Sequence, residues 1–194
     1  METASPPRTA DGDRFRFRAG RPSLDLCSTV LWRHVSPVEQ LRHPDDVARW
    51  LAEAGLWTEP HPVSDADVRT VRALREALYR LFLARIRGEK LPGARLVNRC
   101  AAHPGPTPRL TSDGQTRWLI RDPVPTALSA VARDGIELLT GALSGRVREC
   151  AAPDCAFLFV DTSRPGTRRW CAHNRCGNRE HVREHRARER ARLV

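Results

Sequence analysis

Four cysteines near the carboxyl end constrain the fold of this chain more than any other feature. They form two pairs with the same internal spacing, Cys150-x4-Cys155 and Cys171-x4-Cys176, with fifteen residues between the pairs. A short spacer lets one turn present two sulfurs to a single ion, and four thiolates complete the tetrahedron that structural zinc prefers. The spacing therefore predicts one structural Zn²⁺ held by Cys150, Cys155, Cys171 and Cys176.

The alternatives for these cysteines are a redox dithiol pair or buried, inert thiols. A redox site usually has a two-residue spacer, so the symmetric four-residue spacing favours a metal. His173 lies inside the second pair, but four thiolates already saturate the ion, and His173 is interpreted as an exposed loop residue. Closed coordination leaves no position for a reacting water, so we predict a structural site and no enzyme activity. Cys27 and Cys100 are interpreted as ordinary buried free thiols.

The cysteine pairs lie in a segment, residues 146–194, that is too short to bury a core of its own. In small zinc modules the metal contributes on the order of 10 kcal/mol to folding. Folding of this segment is therefore expected to depend on zinc.

A chain of 194 residues holds either one medium domain or a small domain followed by a metal-stapled module. We expect a disordered tail over residues 1–14 and an α+β domain of hairpins and helices over residues 15–145. A small zinc-stapled finger over residues 146–194 would then contain a zinc knuckle, a short hairpin and a C-terminal helix. No apolar run is long enough for a signal peptide or a membrane span, which predicts a cytoplasmic protein without a membrane partner.

Hydrophobic spacing and turn residues predict the elements of the N-terminal domain. Alternation around an Ala-Gly-Arg-Pro break favours a hairpin over residues 15–30. Helix caps and apolar stripes then predict, in order, a helix from Pro44 to Gly55, a long helix from Ser64 to Gly88, a short helix over Arg95–Ala101, a second hairpin over residues 109–120 and a helix from Pro125 towards Gly145. Together these elements would enclose one core.

Positive charge is concentrated in the zinc segment. Residues 146–194 hold twelve arginines against six acidic residues, a net charge of +6 within the chain's total of +10. A compact electropositive region attracts polyanions, with nucleic acid ahead of a membrane surface or an acidic protein. Because 32 of the 33 basic residues are arginine, part of this excess reflects amino-acid usage.

The segment after Cys176 contains no proline and mixes glutamate with arginine, which predicts a solvated helix of four or five turns. Arginines at intervals of three or four residues would form a stripe along one face, and further arginines precede the second cysteine pair. Guanidinium groups match phosphate oxygens and guanine edges, so we predict contacts with nucleic acid, duplex DNA in the first place. With Asn178 at the helix start, the predicted set is Arg164, Arg168, Arg169, Arg175, Asn178, Arg179, Arg183, Arg186 and Arg190. The alternative is a merely soluble, salt-bridged helix.

These residues also carry a resemblance to a known family. CAAPDC, FVDTSR, RRWC and CGNR follow one another as in the CGNR-type zinc finger, named for Cys176 to Arg179. That finger usually follows an ABATE domain, and GRPSLDLCSTV and DDVARWLAEAGL are similar to the opening hairpin and first helix of such a domain. The resemblance implies a stress-induced transcription regulator whose finger binds DNA.

The N-terminal domain offers no catalytic motif such as G-x-S-x-G, a phosphate-cradling glycine loop or a histidine pair at metal spacing. Asp25 and Thr29, near Trp32, are minor candidates for lining a small-molecule pocket, although such residues are more often structural.

Three functions stay open at this point. They are a DNA-binding regulator whose N-terminal domain forms a homodimer or senses a signal, a module that binds an acidic protein, and an enzyme tethered by the finger.

Overall fold

The fold was determined as a computed structural model that describes residues 14–57, 59 and 61–192. Within this part of the chain, helices alternate with three antiparallel two-stranded hairpins. The predicted α+β class, a hairpin-and-helix domain followed by a small four-cysteine finger, is confirmed. The predicted disordered tail lies outside the described residues except for Arg14. No helix in the described ranges is long and apolar enough to cross a membrane.

The elements of the N-terminal part are α1 (Pro22–Cys27), β1 (Val30–Leu31), β2 (Val38–Glu39), α2 (Pro44–Glu53), α3 (Asp65–Arg87), α4 (Arg95–Ala101), β3 (Thr107–Leu110), β4 (Thr116–Leu119) and α5 (Pro123–Thr140). The C-terminal part contains a 3₁₀ turn (Ser144–Arg146), β5 (Val147–Glu149), β6 (Leu158–Val160), a π-helical turn (His173–Gly177) and α6 (Asn178–Arg192).

Helix α3 is the central element, and its ends follow from local chemistry. The Ser64 hydroxyl accepts the Asp67 backbone N–H, while the Asp67 carboxylate accepts the Ser64 N–H, so two free donors of the first turn are satisfied. The helix ends at Gly88, whose φ of +68° suits glycine. Its apolar side packs against α1, α2, α4 and α5. The predicted long helix is confirmed with both its ends.

Helix α5 differs from the prediction at both ends. It begins at Pro123, because this proline takes the first helical position ahead of Pro125, and it ends at Thr140, since Gly141 adopts an extended ψ. Gly135 allows α5 to approach α3 closely: a Cβ there would lie 2.5 Å from Leu78 Cδ2. The predicted α2, α4 and β3–β4 elements are confirmed.

The hairpin predicted over residues 15–30 is wrong. Residues 22–27 form α1, which starts with Pro22 at its first position, and β1 pairs with the later strand β2 in the register Val30↔Glu39. Every residue of α1 after Pro22 is buried, polar ones included. Ser23, for example, donates from its backbone N–H to Asp134 of α5. Because α1 is buried on all sides, its polar residues do not gather on one face of the helix. Its polar and apolar residues happen to alternate, and this is the pattern expected of a strand.

One hydrophobic core extends from the N-terminal domain into the finger. Trp50 of α2, Phe82 of α3 and Phe159 of β6 are all fully buried in the same cluster. The proposed domain boundary at residues 145–146 falls in the 3₁₀ turn before β5. The finger is therefore packed as part of the larger fold, and its burial does not rest on the metal alone.

Asp25 and Thr29 have structural partners in this fold. Asp25 lies on α1, and its carboxylate accepts the Ala19 backbone N–H at 3.0 Å. The Thr29 hydroxyl donates to the Leu26 carbonyl at 2.7 Å and accepts from Arg75 at 3.1 Å. Both side chains are buried, which supports the structural interpretation of these residues over a pocket lining.

Burial of Asp25 predicts a pH dependence of stability. Desolvation raises the pKa of Asp25 from 3.8 to about 6, despite the hydrogen bond from Ala19. Between these values the folded chain keeps a proton that the unfolded chain has lost, so this group's contribution to the free energy of unfolding falls as pH rises from 4 to 6. We expect Asp25→Asn to remove this loss, which amounts to about 2–3 kcal/mol at neutral pH. Urea unfolding of both chains between about pH 4 and 7 measures the effect, and a difference in the free energy of unfolding that stays constant across that range contradicts it.

Candidate metal centre and arginine surface

The sulfur atoms of Cys150, Cys155, Cys171 and Cys176 converge on one point. All four lie within 4.8 Å of one another. Cys171 and Cys176 are 3.6 Å apart, as are Cys155 and Cys176, and Cys155 and Cys171 are 3.7 Å apart. A tetrahedral site with Zn–S bonds of about 2.3 Å places its sulfurs roughly 3.8 Å apart, whereas a disulfide requires about 2.0 Å. The donor set therefore fits the predicted zinc tetrathiolate.

The first cysteine pair occupies the connection of the β5–β6 hairpin. These strands pair in the register Val147↔Val160, and the Cys150 N–H donates to the Phe157 carbonyl at 2.9 Å just beyond them. The predicted short hairpin of the finger therefore flanks the first cysteine pair, since β5 precedes Cys150 and β6 follows Cys155. The reason is packing: Val147 is apolar and buried, so the segment before the knuckle joins the core.

The second cysteine pair leads directly into α6. Cys176 lies in the π-helical turn, which the Gly177 N–H closes by donating to the Ala172 carbonyl at 3.1 Å. This wide turn directs the Cys176 sulfur to the cluster before the α-helix begins. His173 is exposed, as predicted, and the candidate metal group found in the described residues consists of the four cysteines.

Hydrogen-bond donors surround the sulfurs. The Cys171 backbone N–H donates to the Cys150 sulfur at 3.4 Å. The Arg179 guanidinium donates to the Cys176 sulfur at 3.4 Å and to Asp154 at 3.1 Å. Partial burial lowers the pKa of Arg179, but Asp154 and the cysteine sulfurs raise it overall, so the group stays charged. Such donors stabilise thiolates and orient them towards a metal.

The remaining two cysteines stay outside the cluster. Cys27 is buried on α1, where burial raises the pKa of its thiol to about 12. Cys100 on α4 is half-buried, and burial raises its pKa as well. Both are free thiols, as interpreted from the sequence, although Cys100 is only partly buried.

Helix α6 presents the predicted stripe on one exposed face. Every described side chain from residue 181 to residue 192 is exposed. A shallow groove along the helix is lined by Asn178, Arg179, Val182, Arg183, Arg186 and Arg190. The structure thus brings five of the nine predicted nucleic-acid residues together on one surface, which we call the arginine face.

The four other predicted residues lie before α6. Arg164 and Arg169 are exposed in the loop before Cys171, and Arg175 is exposed in the π-helical turn. Arg168 is different: its guanidinium donates to the Trp170 and Cys171 carbonyls and lies over the Phe159 ring. Arg168 therefore stabilises the turn around the second cysteine pair, which we call the second knuckle. Its position in the sequence did not indicate this structural role. Nucleic-acid contact by any of the nine residues stays a prediction.

Sequence reasoning missed three residues at the site. Asp161 is buried and accepts the Ser163 and Arg168 backbone N–H groups, and its place in an Asp-x-Ser turn was a usable signal. The Asp154 carboxylate accepts a hydrogen bond from the Arg179 guanidinium. Arg18 donates to the Cys171 sulfur from a position 153 residues earlier, a separation that no local pattern could bridge.

Comparison with protein families agrees with this geometry. Residues 20–142 match the ABATE family, described as "Putative stress-induced transcription regulator", and residues 146–189 match the CGNR zinc finger. A search of curated proteins finds no significant match to the chain. The sequence resemblance and the prediction of one structural zinc are confirmed. Since the first match covers more than half of the residues, this chain belongs to the ABATE family and carries a CGNR zinc finger at its C-terminal end.

Proposed function

We propose that the protein is a DNA-binding transcription regulator whose helix α6 binds duplex DNA. The observation that carries the proposal is the arginine face, which stands on a helix whose described side chains beyond residue 180 are all exposed. A helix that is polar on all sides buries no apolar face against the rest of the fold, so its arginines stay accessible to a polyanion. The family's description as transcription regulators points to the same partner.

The dimensions of α6 suit the DNA major groove. Its fifteen residues span about 22 Å, and a groove about 12 Å wide admits one α-helix. The zinc cluster fixes the start of the helix through Cys176 in the preceding turn. Arginines towards the other end would then be carried against phosphates and base edges.

The charges of the arginine face are available for such contacts. Among the described residues, Arg186 and Arg190 have no ion-pair partner. Arg183 pairs with Glu180 at 2.8 Å, but the Arg183 side chain itself is 54% exposed, so its guanidinium remains accessible to a phosphate. Arg179, by contrast, is engaged by Asp154 and Cys176, so replacing it would disturb the metal site as well.

The proposal predicts that positive charge on the arginine face contributes more to DNA affinity than positive charge on the opposite face of α6. We expect Arg186→Ala with Arg190→Ala to weaken duplex DNA binding at least tenfold and to lower the slope of log affinity against log salt by about 2, one for each lost phosphate contact. Fluorescence anisotropy of the full zinc-bound chain, at about 50–200 mM salt, measures both quantities.

A matched control lies on the same helix. Arg188→Ala with Arg192→Ala removes the same charge at the same spacing from the opposite face, and we expect a much smaller loss of affinity. Equal losses in the two double variants would show unspecific charge attraction. Absence of wild-type binding at low salt would refute the proposal, and preferential competition by RNA would replace DNA as the ligand. A stoichiometric acidic protein that copurifies after nuclease treatment would favour a protein-interaction module instead.

A further inference from the structure

We propose that Arg18, which lies outside the zinc finger, stabilises the metal-bound thiolate of Cys171 and so couples zinc binding to the N-terminal domain. Arg18 precedes both family matches, which begin at residues 20 and 146. The inference concerns the metal site alone and stands or falls independently of DNA binding.

Arg18 reaches the cluster directly. Its Nη2 lies 3.7 Å from the Cys171 sulfur, within hydrogen-bonding range for sulfur. The guanidinium also lies over the Phe157 ring, with its carbon 4.9 Å from the ring centroid. Phe157 stands between the first cysteine pair and β6, so Arg18 contacts both knuckles of the finger.

The backbone around Arg18 is fixed from two sides. The Ala19 N–H donates to the Asp25 carboxylate of α1 at 3.0 Å. The Ala19 carbonyl accepts the Val160 N–H of β6, also at 3.0 Å. Ala19 itself is buried, so the segment is clamped between the N-terminal domain and the finger. Arg18 is thereby held in place with little freedom left to lose when it donates to the sulfur.

The charge of the cluster explains why such a donor matters. Four thiolates on one Zn²⁺ form an anionic group, and three of its cysteines, Cys150, Cys171 and Cys176, are buried. An anion in a poorly solvated place is costly unless hydrogen bonds and cations offset its charge. Arg179 supplies one guanidinium from within the finger, at Cys176. Arg18 supplies a second one at Cys171, and it belongs to the N-terminal domain.

Coupling of this kind works in both directions. If the position of Arg18 raises the affinity for zinc, zinc must stabilise that position by the same factor. A ligand or partner that shifts the segment around Ala19 would thus change how firmly the finger holds its metal. Arg18 acts as a positioning residue for a thiolate and is not itself a ligand.

The test compares full-length chains in which one arginine is replaced by methionine. Arg18→Met keeps an apolar side chain over Phe157 but removes the donor and the charge. Arg16→Met is the matched control, because Arg16 lies in the same segment with its guanidinium over the Trp32 ring, 5.7 Å from the centroid. Competition with a chromogenic chelator gives the zinc affinity. We expect a ten- to hundredfold weaker affinity for Arg18→Met and a change below about twofold for Arg16→Met.

A spectroscopic signature separates hydrogen bonding from a general loss of structure. With Co²⁺ in place of zinc, removal of a hydrogen bond from a thiolate shifts the sulfur-to-cobalt charge-transfer band to lower energy. We expect this shift in Arg18→Met and an unchanged band in Arg16→Met. If Arg18→Met does not fold, Arg18→Gln serves instead, since its shorter side chain removes the charge and does not bring its amide as far as the Cys171 sulfur, and the same loss of zinc affinity is expected. Wild-type affinity and spectrum in the Arg18 variants, or equal losses in the Arg16 variant, would overturn the proposal.

Discussion

The Cys171→Ser chain is expected to lose stoichiometric zinc and, with it, the folded finger. Serine offers no thiolate, and the remaining three sulfurs cannot close the tetrahedron that the wild-type cluster forms. Structural zinc contributes on the order of 10 kcal/mol to small modules of this type, more than any single packing change is worth. Metal analysis and far-UV circular dichroism of the purified chain measure the two losses.

The effect is expected to spread beyond the finger because the core is shared. Phe159 and Leu158 of β6 are buried in the same cluster as Trp50 and Phe82, so an unfolded finger uncovers part of the N-terminal core. We expect a single, lower unfolding transition instead of an unchanged N-terminal domain. Cys100→Ser is the matched control, since its thiol lies outside the cluster, and it should keep one zinc per chain. A Cys171→Ser chain with one zinc per chain and wild-type stability would contradict this account.

Glu39→Ala is expected to destabilise the chain by about 3–5 kcal/mol, because it leaves a buried guanidinium with too little compensation. Arg75 of α3 is buried, and both its terminal nitrogens lie 2.6 Å from the Glu39 oxygens. Burial alone lowers the pKa of Arg75, but Glu39 and then Glu76 raise it overall, so the charge persists. Without Glu39, the partners of the Arg75 guanidinium that remain among the described residues are Glu76 and the Thr29 hydroxyl.

An exposed pair in the same protein provides the control. Arg21 and Glu137 lie 2.9 Å apart, but the Glu137 side chain is 71% exposed. Glu137→Ala removes a carboxylate from an arginine as Glu39→Ala does, yet it is expected to cost less than about 1 kcal/mol. Urea unfolding of the zinc-bound chains measures both. Equal effects would mean that the burial of Arg75 is not what gives Glu39 its importance.

Elements with strong local signals could be predicted from the sequence. Helix α3 carries a capping box at Ser64, an apolar stripe and a terminal Gly88, and each of these acts within one or two helical turns. The cysteine spacing likewise needs no knowledge of distant residues, since each pair presents its sulfurs from one turn. Helix α1 carried a starting proline, Pro22, but no apolar stripe, because it is short and every residue after Pro22 is buried. Its alternating residues therefore suggested strands that do not form.

The roles of individual arginines could not be predicted from the sequence. Arg168 and Arg186 both lie in the basic segment, yet the first is tied to carbonyls of the second knuckle and the second is exposed on the arginine face. The two residues are of the same type and lie in the same basic segment, and only their neighbours in the folded chain differ. Arg18 stood in no motif at all, although it lies against the metal cluster.

The sequence by itself determined the zinc ligands, the capped helices and the family. These depend on residue types at short spacings along the chain, which are the same whether the chain is folded or not. The tertiary structure alone decided that the finger shares the core of the N-terminal domain and that Arg18 reaches Cys171. It also decided which arginines are held inside the fold and which remain exposed. These features depend on contacts between residues far apart in the chain, which exist only after the packing of apolar surface has brought those residues together.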